Sequence, residues 1–282
     1  MSQKSVILVG GPDSGKTNYV GRLWISLKER KGALQRAGMP TDITYIEAIC
    51  AHILKGEFAG RTDRNMERQN FSVPLKSDDD GQTANLMVPD FTGELWLNAV
   101  VNSELPKDWL DELEKADSAL LFVRVLSPLN VQPLDWVATR DILRLAGDGN
   151  EDGKLPTQVV LCELLRLLEN RLKPRPGGGK PRVAVVVTAF DLLDQESRQA
   201  GPSAYLKHQF PLFAGALEDL ECADARIFGV SIVDGDPERD DAFKQRILGM
   251  NMSEIGSVIF ENADGVDTDA DVTLPVAWAI GD

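Results

Sequence analysis

One run constrains this chain more than any other: Ser5-Val6-Ile7-Leu8-Val9 leading into Gly10-Gly11-Pro12-Asp13-Ser14-Gly15-Lys16-Thr17. Four apolar, mostly β-branched residues suit a buried strand. Gly10 to Thr17 reads G-x-x-x-x-G-K-T, and from Asn18 onward Val20, Leu23, Trp24 and Leu27 recur at helical spacing. Strand, glycine-rich turn and helix in that order are the context a phosphate-binding loop requires. The glycines let backbone N–H groups curl around a β-phosphate, and the helix N-terminus adds partial positive charge. Lys16 can reach the β- and γ-phosphates, and the Thr17 hydroxyl can ligate Mg²⁺. Gly10, Asp13, Ser14, Gly15, Lys16 and Thr17 are therefore the expected phosphate-binding residues.

The rest of the composition narrows the partners. With 282 residues, 43% hydrophobic, there is material for one large α/β domain or two small ones. A formal net charge of -14 argues against a chain that coats nucleic acid or an anionic membrane, because no basic stripe is on offer. A nucleotide must be held by local devices instead. Cys50, Cys162 and Cys222 stand far apart, and only His52 and His208 could join them in a metal cluster. Neither a disulfide framework nor a zinc site is expected, and the usage suits a reducing cytoplasm. The chain enters its first strand without a signal peptide, and no apolar run approaches the ~18 residues of a membrane span. A cytoplasmic location is the expectation.

Along the chain, the first helix is expected from about Asn18 to Ala37 and a second from Tyr45 to Leu54. Gly60 to Gln69 is charged and aperiodic, hence an exposed loop. Phe71 to Leu75 and Ala84 to Val88 alternate around the turn Ser77-Asp-Asp-Asp-Gly81 and form a hairpin, with Pro74 marking its first strand as an edge. The second hairpin strand ends in Asp90-Phe91-Thr92-Gly93, a D-x-x-G at the end of a strand where open α/β sheets bind ligands. Asp90 can hold Mg²⁺ through water, and the Gly93 N–H can bond a γ-phosphate. Ser118 to Val125 and Arg182 to Thr188 are continuous apolar runs of buried parallel type. Between them, residues about 127–180 form a helical insertion containing Asp135 to Leu145 and the amphipathic Thr157 to Leu172. Pro202 to Leu220 reads as one helix and Arg226 to Ser231 as a short strand. Asn262 to Asp271 reads as a polar insertion, and Thr273 to Ile280 as a final helical or sheet-packing piece.

Four pieces now stand in order: G-x-x-x-x-G-K-T, D-x-x-G, a strand ending Thr188-Ala189-Phe190-Asp191, and a strand ending Val230-Ser231. This order resembles the Ras-like P-loop GTPases of the translation-factor-related (TRAFAC) class. The acidic composition, the D-x-x-G-E sequence and the long inserts look like the double-GTPase proteins of bacterial conflict, or anti-phage, systems, which are thought to work with adaptor and effector proteins. The resemblance implies a three-layer α/β domain over 1–282, with a mostly parallel sheet, one antiparallel edge hairpin and helices on both faces. It implies that Asp191, in a motif opened by Thr188, accepts two hydrogen bonds from guanine N1 and N2, and that Ser231 belongs to the loop behind O6. Ala189 departs from the family, which has a Lys there that packs over the base and braces the phosphate loop. Glu94 stands where many members use Gln or His to orient the attacking water. The first switch needs a Thr that closes on Mg²⁺ and the γ-phosphate; Thr62 is the candidate, with Thr41 and Thr44 as competitors. Arg61 and Arg64 are either an internal arginine finger or solvated loop charges.

The reading that follows is a Mg²⁺-dependent molecular switch that binds GTP or GDP and hydrolyses GTP slowly without a partner. Its catalytic set is Lys16, Glu94 and Thr62, and its metal set Thr17, Asp90 and Thr62. Effector or adaptor proteins, a second GTPase or a homodimer would be its partners. Two alternatives stay open: an ATPase of the same fold, and a nucleotide-binding scaffold that hydrolyses little.

Overall fold

A computed structural model describes residues 4–29, 32–40, 43–59, 71–77, 81, 83–88, 93–102, 104–133 and 155–281. The centre of the molecule is a sheet of nine strands: β1 (Lys4–Val9), β2 (Leu34–Arg36), β3 (Phe71–Ser77), β4 (Thr83–Val88), β5 (Ser118–Arg124), β6 (Arg182–Thr188), β7 (Asp224–Ser231), β8 (Ser257–Asn262) and β9 (Gly265–Asp269). They lie in the order β2-β3-β4-β1-β5-β6-β7-β8-β9. The five strands from β4 to β7 run parallel, while β2–β3–β4 and β7–β8–β9 pair antiparallel at the two edges.

The buried β1 run explains the layering. Because side chains alternate along a strand, Val6 and Leu8 face one apolar cluster, and Ile7 and Val9 face another. The first cluster is closed by α1 (Lys16–Glu29), α2 (Thr44–Leu54) and α10 (Leu274–Ile280). The second is closed by α3 (Gly93–Asn102), α4 (Lys107–Lys115), α5 (Thr157–Arg171), α7 (Pro202–Gln209) and α8 (Pro211–Glu218). The short α6 (Gln195–Ala200) and α9 (Asp241–Leu248) are further helices. Both faces of the sheet are thus covered, the arrangement a mostly parallel sheet demands.

Four expectations are corrected. The first helix ends at Glu29, and Leu34–Arg36 forms β2. β3 is therefore not an edge, since β2 pairs with Leu75 to Ser77; Pro74 lies just past that stretch, where its carbonyl accepts the Ala37 N–H at 2.8 Å. The stretch Pro202 to Leu220 is two helices, broken at Phe210 ahead of Pro211. The polar stretch Asn262 to Asp271 supplies the β8–β9 hairpin. Asp135 to Leu145 lies outside the described residues.

One buried cation positions the edge of the site. Arg22 on α1 is fully buried. Its guanidinium donates to the carbonyls of Ile232 (3.1 Å), Met252 (2.6 Å) and Ile255 (2.6 Å), and to the Ser26 hydroxyl. Arginine suits this because its planar fork saturates several acceptors at once, and an unsatisfied buried charge would be costly. The contact ties the helix that follows the glycine-rich loop to the segment after β7.

Candidate functional site

The loop between β1 and α1 sits at the C-terminal ends of the parallel strands, where an open α/β sheet places its ligands. A cleft of about 390 Å³ opens there, within the range of small-molecule sites. Gly11 to Asn18 line one wall; Gly93 and Glu94, Arg124, Thr188 and Ala189 with Asp191 and Leu192, and residues between Ile232 and Glu238 contribute to the others.

The loop is held from beneath by strand ends. Thr188, the last residue of β6, donates its hydroxyl to the Ser14 carbonyl at 2.8 Å. Gly15 has φ +86, and a Cβ there would lie 2.7 Å from Thr188 Oγ1, so both the backbone and the close approach require glycine. Asp13 holds the left-handed φ of 59 without being glycine. Its carboxylate is fixed on both oxygens, by Arg124 Nη1 at 2.6 Å and Ser127 Oγ at 2.6 Å.

Lys16 folds back over its own loop, donating to the carbonyls of Gly10 (2.6 Å) and Gly11 (2.8 Å) and to Ser14 Oγ (3.0 Å). Burial pushes its ammonium down to about 7, and the negative charge of Glu94 offsets only part of that. Such a lysine gains by meeting an anion. Thr17, in the first turn of α1, lines the cleft. Glu94, in the first turn of α3, also lines the cleft.

Gly93 begins α3 pressed against the loop: a Cβ there would overlap Pro12 N and the Gly11 carbonyl carbon and oxygen. We expect Gly93→Ala to push α3 off the loop, at a cost of about 1–3 kcal/mol. Thermal unfolding should then fall by several degrees; an unchanged midpoint would show that the contact is not needed.

At the far end, Ala189 takes a left-handed φ of 55 and caps a single 3-10 turn, Phe190–Leu192. Phe190 is fully buried, anchoring the turn so that Asp191 lines the cleft. Burial raises the Asp191 carboxyl above its ordinary range and Asp234 adds to this, while a hydrogen bond from the Ser231 side chain and the charge of Arg198 oppose it. Ser231 is itself buried at the end of β7. It supports Asp191 from behind.

Several lining residues escaped sequence reasoning. The segment after α2 docks on α1, with the Ala59 N–H donating to Asn18 Oδ1 at 2.8 Å, and on the segment after β7, with the Phe58 N–H donating to Glu238 Oε1 at 3.0 Å. Lys244 reinforces this by pairing with Glu57 at 3.5 Å. Arg124 had a signal available: it is the one charged residue in an apolar strand, at the end that faces ligands. Of the other candidates, Thr44 begins α2 and does not line the cleft. Thr41, Thr62, Arg61, Arg64 and Asp90 lie outside the described residues. Among the described residues no three His, Cys, Asp or Glu side chains are grouped so as to hold a metal ion, and no helix is long and apolar enough to cross a membrane.

A Mg²⁺ ion keeps much of its shell as water and ligand phosphate, and takes few protein oxygens. The Thr17 hydroxyl at the mouth of α1 fits that requirement. Compared with known families, the chain matches the family model described as Double-GTPase 1 over residues 7–279. No curated protein matches it.

Proposed function

The chain belongs to the Double-GTPase 1 family, and on that premise we propose that it is a Mg²⁺-dependent GTP-binding and GTP-hydrolysing switch. One observation carries the reading. The glycine-rich loop and the Thr188–Asp191 turn line a single cleft and are bonded to each other through the Thr188 hydroxyl and the Ser14 carbonyl. This supports a reading in which the loop would hold phosphate and the Asp191 carboxylate would read the base at a fixed distance from it.

In this reading the N–H groups from Asp13 to Thr17 take the β-phosphate, with Gly10 and Gly15 giving the loop its path, and Lys16 leaves its own carbonyls for the β- and γ-oxygens. Thr17 would hold Mg²⁺, with Asp90 behind a water and Thr62 from the first switch. The ion would supply charge neutralisation at the β- and γ-oxygens. The Gly93 N–H would sense the γ-phosphate, and Glu94 would orient the attacking water. Asp191 would accept from the guanine N1 and N2 groups, held by Ser231. The loops around Thr62 and Asp90 to Glu94 would order with GTP and relax after hydrolysis, which suits a protein that reports to effectors, adaptors or a second GTPase in a bacterial regulatory or defence setting. Turnover without such a partner would be slow, because little beyond Lys16, the ion and backbone amides serves the transition state.

Glu94 favours a second reading, a nucleotide-binding scaffold with little hydrolysis, since its charge stands next to where a γ-phosphate would lie. The first test is thermal stabilisation. GTPγS with Mg²⁺ should raise the unfolding temperature by several degrees, as expected when ligand is present at ~100 times its Kd. Stabilisation by ATPγS alone would overturn the guanine assignment.

A further inference from the structure

The glycine-rich loop contains an acidic residue. Asp13 puts a carboxylate into the part of the loop that must face a polyanion, and it does so at a left-handed backbone position where glycine is the easier residue. A bare carboxylate there would repel a triphosphate. It is not bare. Arg124 Nη1 donates to one oxygen and Ser127 Oγ to the other, each at 2.6 Å. The ion pair is partly withdrawn from water, with side-chain exposures of 35% for Arg124 and 19% for Asp13, so screening leaves more of its strength than at an open surface.

The clamp is built into the fold. Arg124 ends β5 and is the cross-strand partner of Thr188 at the end of β6. Two adjacent strand ends thus hold two consecutive loop residues: Arg124 holds Asp13, and Thr188 holds Ser14. The turn that carries Ser127 is fixed in its own right. Ser127 Oγ accepts the Leu129 N–H at 3.2 Å, and Asn130 Nδ2 donates to the Arg124 carbonyl at 3.2 Å. Arg124 and Lys16 are the two Lys or Arg side chains among the described residues of the cleft wall.

We propose that Arg124, seconded by Ser127, is a positioning residue for the phosphate loop. It neutralises Asp13, so that a loop containing a carboxylate can accept a nucleoside triphosphate. The inference rests on the nucleotide-binding reading above. It also locates a brace for the loop on β5, although the neighbouring position 189 is an alanine. Because the clamp acts through charge, its loss penalises a ligand in proportion to the ligand's negative charge, which a purely structural contact would not do.

The experiment is calorimetric titration of GTPγS and GDP, each with Mg²⁺, into the wild-type chain, Arg124→Gln, Asp13→Asn and the double variant. Asparagine tolerates the left-handed backbone, so Asp13→Asn removes charge and little else. Arg124→Gln should weaken GTPγS by about tenfold and GDP by about threefold, since each step of ligand charge meets the exposed carboxylate. The double variant should recover GTPγS affinity to within about threefold of wild type, and Asp13→Asn alone should bind GTPγS at least as tightly as wild type. Equal losses for the two nucleotides, no recovery in the double variant, or weaker binding by Asp13→Asn would overturn the clamp. Asp13→Asn also decides the matter if Arg124→Gln fails to fold. A wild-type chain that binds neither nucleotide would remove the nucleotide reading and the clamp with it. A wild-type chain that binds, beside an Arg124→Gln that binds equally well, would remove the clamp alone.

Discussion

Lys16→Ala is expected to lose about two to three decades of GTP affinity and all measurable multiple-turnover hydrolysis, while its ligand-free fold stays at least as stable as wild type. The affinity loss follows from the charge-assisted hydrogen bonds that an ammonium makes to phosphate oxygens; removing one such partner from a partly desolvated site costs about 2–5 kcal/mol. The unchanged fold follows from the free structure. Lys16 is buried and its ammonium is pushed down to about 7, so it destabilises the ligand-free chain at neutral pH. Below about 7 the lysine is charged in both folded and unfolded chains, and the full burial penalty is present. Between about 7 and the ordinary lysine value of 10.5 the unfolded chain binds more protons, so stability rises with pH. Wild-type stability should therefore climb relative to Lys16→Ala from pH 7 to pH 9. Bound phosphate restores the ammonium, so GTP binding should take up a proton above pH 7 and weaken as pH rises through that window. Differential scanning calorimetry and titration in buffers of different ionisation enthalpy read both effects. Hydrolysis that survives in Lys16→Ala would overturn its role, and a wild type that hydrolyses nothing would favour the scaffold.

Why the loop was legible and its surroundings were not is a matter of range. Ser5 to Thr17 encodes strand, turn and helix within contiguous residues, and each step has a local cause. The apolar runs of β5 and β6 were equally plain because both faces of those strands are buried. β9 has every residue exposed, so no alternation of apolar and polar side chains could announce it. β2 is three residues long and sits where a helical window had not yet run out. Phe210 and Pro211 divide two helices, but proline in a first turn reads the same as proline inside a kinked helix. The Arg124–Asp13 pair joins residues 111 positions apart, and the Phe58–Glu238 bond joins residues 180 apart. Such contacts are products of the strand order, in which β5 lies beside β1 and β7 two places further on. No local pattern carries them.

The Asp191 end of the cleft gives the second large effect: if Asp191 reads the base as proposed, Asp191→Asn should exchange guanine preference for xanthine preference. A carboxylate offers two acceptor oxygens, which match the N1–H and N2–H donors of guanine. An asparagine offers one acceptor and one donor, which match the N1–H donor and the C2 carbonyl of xanthine. A good bidentate pair discriminates by about 1–3 kcal/mol, so GTP affinity should fall by roughly 10- to 100-fold and that for xanthosine triphosphate should rise above it. The surroundings favour a clean exchange. Ser231, buried at the end of β7, can donate to either side-chain oxygen, and Phe190 keeps the turn anchored whichever residue follows it. Acidification supplies an independent readout. Burial and Asp234 raise the Asp191 carboxyl above its ordinary range, so wild-type GTP affinity should be lost as pH falls toward that raised value, where a protonated carboxyl no longer accepts both bonds. Asp191→Asn has no proton to gain there, and its affinity for xanthosine triphosphate should lack this acid limb. The two nucleotides differ at C2 and in the proton on N3. If Asp191→Asn binds GTP as tightly as wild type does, the carboxylate does not read the base, and the adenine reading returns with ATP as the ligand to try.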